Sequence, residues 1–174
     1  MKGLPRSQQR GNPLQQEVIK IALPVHNLEV AVAAAGAAVG FGTAVLAGLP
    51  QGNILLLGAV SYLQFSTSDA DISATFDGDY GIGTAPTVDA DLGDAEDDNL
   101  VPSTALGAAT AKLSPNARGA STTTEQGAII DNTDGSKELN LNLLIDAADI
   151  ADGASANFLA NGVLHLAYIV LGDD

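Results

Sequence analysis

The chain has no cysteine and no tryptophan, only 4% aromatic residues, two histidines and seven basic side chains in 174 residues. Without cysteine there is no disulfide framework and no thiolate metal site, so packing or assembly has to supply the stability. Nucleophilic and acid–base catalysis draw on His, Cys or perturbed carboxylates converging in a pocket, and only His26 and His165 are available. No GxSxG, HExxH, Walker A or GxGxxG pattern occurs. The expectation is a protein that is not an enzyme and has no cofactor; the one enzyme class that spacing leaves open is a hydrolase with paired carboxylates. Long apolar runs are missing as well. Residues 30–50, the most apolar stretch, are broken by Gly36, Gly40, Gly42 and Gly48, whereas a helix crossing a bilayer needs about 20 continuous apolar residues. Residues 1–16 lack the apolar run of a secretory signal, and no membrane partner is expected.

Positive charge is scarce and unevenly placed. Lys2, Arg6, Arg10 and Lys20 face only Glu17 in the first 20 residues, a net +3, while the rest of the chain sums to −17 within the total of −14. A body this acidic repels nucleic acid, whose phosphates need clustered Lys and Arg. The basic segment reads instead as an arm reaching an acidic neighbour, a like subunit included, with Lys2, Arg6, Arg10 and Lys20 as the candidate partner-binding residues. Pro5, Gly11 and Pro13 keep residues 1–16 out of a helix, so the chain divides into an extended arm, 1–16, and one domain, 17–174.

What is abundant is strand patterning. In residues 139–145 the odd positions are all apolar, and Asn140 and Asn142 occupy the first two even ones, the period of a strand with its Asn face toward water or a neighbouring subunit. Residues 163–171 are apolar on both faces apart from His165, as in a strand covered on both sides; His165 then reads as a core or interface histidine and His26 as an exposed turn residue. These two strands form the expected centre of an antiparallel sheet. Further strands are expected at 17–23, ending at Pro24, and at 28–32, 41–46, 53–65, 71–76, 105–113 and 128–130, with an Ala-rich helix as the competing reading of 30–39. The glycines of 77–86 suggest bulges or close backbone approach rather than a regular ladder, and the acidic stretch 86–103 an exposed loop. Eight to ten short strands with turn signals about every ten residues and no long helix describe an all-β, jelly-roll-like β-sandwich.

Asp69/Asp71, Asp77/Asp79, Asp89/Asp91 and Asp131/Asp134 place oxygen ligands at short spacings in loops. Calcium takes such ligands, but none follows the twelve-residue EF-hand pattern, and solvated turn aspartates are the default reading.

Several segments carry a resemblance: GNILLLGAV at 52–60, GDYGIGTAP at 78–86, VPSTA at 101–105, DNTDGS at 131–136 leading into LNLNL at 139–143, and YIVLGD at 168–173. Over residues 38–174 the chain resembles the decoration, or cement, proteins of tailed-bacteriophage capsids. The resemblance implies a β-sandwich, often a homotrimer, on the outer capsid surface of the virion at three-fold or quasi-three-fold positions. It also implies synthesis in the host cytoplasm and the major capsid protein as partner. The arm would then dock on the capsid protein or an adjacent copy, with the acidic loop 89–98 outward. The alternatives are a tail or head-fibre component and a calcium-dependent glycan-binding module.

Overall fold

The computed structural model describes residues 17–34, 39–93 and 96–172. The expected all-β architecture is what these residues form. Nine antiparallel strands, and no helix among the described residues, make one sheet that curls until its two ends nearly meet, so that opposite walls pack on each other as the layers of a sandwich do. The strands are β1 (Ile19–Ala34), β2 (Gly40–Gly48), β3 (Gly52–Ser66), β4 (Gly78–Gly83), β5 (Val101–Ala105), β6 (Ala117–Ala120), β7 (Ile129–Asn132), β8 (Glu138–Ile145) and β9 (Ser155–Gly172). Their order is β5-β4-β8-β2-β1-β9-β3-β6, with β7 pairing β3 beyond β6.

The two C-terminal strands exist as expected but are not neighbours. β8 pairs with β2 and β4, and β9 with β1 and β3. Alternation identifies a strand, whereas its partner is decided by contacts far away in sequence. Pro24 does not end β1, because at that level β1 is paired only with β9 (Pro24 opposite Val163) and its other edge takes no ladder bond. Of 30–39, residues 30–34 are strand and 35–38 lie outside the described residues. Segments 71–76 and 105–113 form turns with isolated bridges, while Val101–Ala105 and Ala117–Ala120 supply the strands that close the sheet. Residues 78–83 pair in continuous register with β8, while their ladder with β5 shifts register between Tyr80 and Ile82 and their glycines accommodate the close approach of neighbouring backbone, as the sequence suggests.

Two bulges explain the apolar runs that look two-sided. Val25 faces Gly162 and Leu28 faces Ala160, so β1 spends one extra residue at His26-Asn27, where Asn27 adopts φ 48° and its N–H donates to Asn161 Oδ1 at 2.9 Å. In β3 the extra residue falls between Leu56 and Gly58. Each bulge switches the inward parity: Ile54 and Leu56 point inward before it, and Ala59, Leu63 and Phe65 after it. β3 is therefore buried on one face and open on the other; β9, whose inward positions stay even from Ala156 to Tyr168, is likewise open on its other face, which corrects the expectation that 163–171 is covered on both sides.

Inside, one continuous apolar cluster is anchored by the edge-on pair Phe76 and Phe158, ring centres 5.1 Å apart, and by Phe65 against Tyr80 at 5.6 Å. The ends of the sheet meet where β5 packs beside β6. Side chains staple this seam. Ser121 Oγ accepts from Ala59 N at 2.7 Å and donates to Leu100 O at 2.6 Å, and the buried Tyr80 hydroxyl lies 2.8 Å from Ser61 Oγ beside the Gly119 backbone.

Asn140 and Asn142 do not face water. Both are buried, and residues 84–93 and 96–100 lie over the outer side of β8 at Asn142. Asn142 donates to Ala85 O at 2.9 Å and Asp97 O at 2.6 Å, and accepts from Thr87 N at 2.9 Å. The acidic stretch is thus only partly the exposed loop its charge suggests, since Leu92, Asp97 and Leu100 are buried beneath it.

Candidate partner-binding groove

Charge is segregated around the molecule. β1, β3, β6 and β9, contiguous in the sheet, contain one carboxylate among them, Glu29. Register then determines what their open face presents. Ala22, His165, Val60 and Ala120 stand side by side across the four strands, with Lys20 and Ala167 in a flanking row and Val163, Tyr62 and Arg118 in the row on the other side. The centre of this face is a groove of about 620 Å³ with an apolar floor, rimmed by Lys20, Arg118, His165 and Gln126. The alanines keep the floor low, and the long basic side chains rise around it. Arg118 Nε donates to Tyr62 Oη at 3.3 Å and its guanidinium lies 5.9 Å from the Tyr62 ring centre, which fixes the fork beside the floor.

A second groove of similar size, about 640 Å³, lies between Ile129 and Lys137. Its cation is already neutralised, because Lys137 Nζ meets Glu96 Oε2 at 2.6 Å in the one ion pair among the described residues. The groove under Lys20 and Arg118 therefore has the better claim on an outside anion.

Of the four predicted partner-binding residues, Lys20 lies on the rim of this groove, while Lys2, Arg6 and Arg10 fall outside the described residues. Arg118 escaped the sequence reading, whereas His165 reads there as a core or interface histidine but not as a neighbour of Lys20. β6 is too short to register as a strand, and only the ladder of β9 with β1 and β3 brings His165 between Lys20 and Arg118. His165 itself is exposed on the outer face, not enclosed in the core.

The paired aspartates act chiefly as turn formers. Asp69, Asp89, Asp131 and Asp134 each accept a backbone N–H two residues on. No group of three or more His, Cys, Asp or Glu converges as a metal site among the described residues. Hydrogen bonds from Thr133 and Ser136 hold Asp131 and Asp134 below the ordinary carboxylate range. The stability they contribute is present above that range and fades as pH falls through their lowered values.

Asp77 behaves in the opposite sense. Burial first, then the Asp146 and Asp149 carboxylates, hold it above the ordinary range. The folded state resists its ionisation, so this site is most favourable below the unfolded-state value and loses that contribution as pH rises through the folded one. Asp77→Asn is accordingly expected to raise the thermal midpoint at neutral pH. The difference from wild type should vanish by about pH 3, below the ordinary carboxylate range, which a pH series of melting curves would read directly.

No protein-family model, curated protein or solved structure matches the chain.

Proposed function

We propose that this chain is a structural virion protein, a capsid decoration or cement protein that binds the major capsid protein on the outer capsid lattice and associates with itself, as a homotrimer. It is made in the host cytoplasm and ends on the virion surface. The observation that supports this reading is the segregation of charge. A body of −17 laid against a protein surface is repelled by acidic neighbours within a Debye length of about 8 Å, and β1, β3, β6 and β9 provide an extensive face with a single carboxylate. Lys2, Arg6 and Arg10 precede β1 in the sequence, and Lys20 of β1 stands on that face. Many weak contacts repeated around a lattice junction add up to tight attachment. Glycan binding is the weaker reading, since Tyr62 is the only exposed aromatic among the described residues and Arg118 already engages its ring.

Deleting residues 2–16 tests the arm. The truncated protein is expected to keep the melting curve of the body and to lose co-sedimentation with undecorated phage heads. Undiminished binding would remove the arm from the interface, and failure of the full-length protein to bind heads would favour a tail or head-fibre component.

A further inference from the structure

The loop opposite the groove offers what the groove lacks. In Pro86-Thr87-Val88-Asp89-Ala90-Asp91, Val88 is 76% exposed, the most exposed of the large hydrophobic side chains among the described residues, and it is followed at once by the exposed Asp89 and Asp91. The segment is preformed. Thr87 N donates to Asn142, Thr87 Oγ1 donates to the carbonyls of Asp89 and Asp91 at 3.1 Å, and each aspartate Oδ1 caps a backbone N–H two residues on. An apolar side chain next to two carboxylates is the complement of an apolar floor rimmed by Lys20, Arg118 and His165.

We infer that the groove takes the 86–91 segment of a second copy of this chain, with Val88 over Val60 and the alanine floor and with Asp89 and Asp91 against Lys20 and Arg118. Within one chain the two do not meet. The loop is pinned to β8, the groove lies on β9 and β3 with β2 and β1 in between, and no residue of 86–91 lines the groove. Loop and groove are different surfaces, so the contact is heterologous, head to tail, and closes into a ring when the rotation per copy allows. Each copy then covers one exposed valine and sets two carboxylates of the acidic wall against two cations of the acid-poor one. The inference rests on the self-association proposed above and not on the capsid as target.

Sedimentation of the full chain without phage heads tests it, using four proteins: wild type, Lys20→Glu/Arg118→Glu, Asp89→Lys/Asp91→Lys, and the combined fourfold variant. All four altered side chains are exposed, and melting curves check that each protein folds. The wild type is expected to form an oligomer that weakens with salt. Each reversal should raise its dissociation constant at least about tenfold, and the fourfold variant, with the charges exchanged, should recover most of that loss. Val88→Ser, which removes the anchor without a charge change, is expected to weaken association in the same direction. A monomeric wild type would overturn both this inference and the self-association. An oligomer indifferent to the reversals, or one weakened by them but not restored by the exchange, would overturn the loop-in-groove contact alone.

Discussion

Gly162→Ala is expected to destabilise the fold by about 3 kcal/mol or more. Gly162 sits mid-strand in β9, opposite Val25 of β1 on one side and Leu63 of β3 on the other. Its φ of +146° is a conformation that L side chains rarely adopt, and a Cβ built there would stand 1.9 Å from the carbonyl oxygen of Tyr62. Neither neighbour can retreat without loosening a ladder. Gly153 is the control: its φ is +70° and nothing lies within 4 Å of a Cβ, so Gly153→Ala carries backbone strain alone, on the order of 1 kcal/mol. Urea unfolding of both variants separates the terms. Equal losses would show that the approach of Tyr62 adds nothing beyond the backbone.

Asn142→Ala is expected to cost about 3 kcal/mol and to release the loop it holds. The side chain is fully buried and satisfies three backbone groups, Thr87 N, Ala85 O and Asp97 O. Each polar group left buried without a partner costs roughly 1–3 kcal/mol, less where the loop lifts and lets water in. That escape gives the variant a local signature. Amides of residues 84–93 and 96–100 should exchange faster than those of β9 by more than global stability accounts for, and uniform acceleration would place the loss elsewhere. Asn142→Asp keeps the acceptor for Thr87 but sets a negative charge against two carbonyl oxygens, and should be no better. Because the loop carries Val88, Asp89 and Asp91, loosening it should also weaken association between copies.

How much of this was legible in the sequence differs from element to element. Residues 139–145 announce a strand by alternation alone, and 53–65 by apolar density. The bulges are what alternation conceals: with one extra residue between Leu56 and Gly58, the inward set passes from even to odd positions, and a strand with one covered face acquires two apolar parities. The buried asparagines mislead for a different reason. Asn142 looks solvated because nothing in its neighbourhood of sequence shows that residues 85, 87 and 97 will supply its hydrogen-bond partners. The groove follows the same division. Lys20 is recoverable from the charge asymmetry of the chain, whereas Arg118 and His165 join it only through the register of β6, β3 and β9.

The placement of β9 has a mechanical consequence. Bound along nearly its whole length to β1 on one side and β3 on the other, this strand meets a pull along its axis at Gly172 with two ladders in shear, where many hydrogen bonds share the load. A pull on β5 instead meets the seam, where a handful of side-chain bonds around Ser121 and Tyr80 yield one after another. A load hung from Gly172 would therefore hold where the same load on β5 would peel the sheet open.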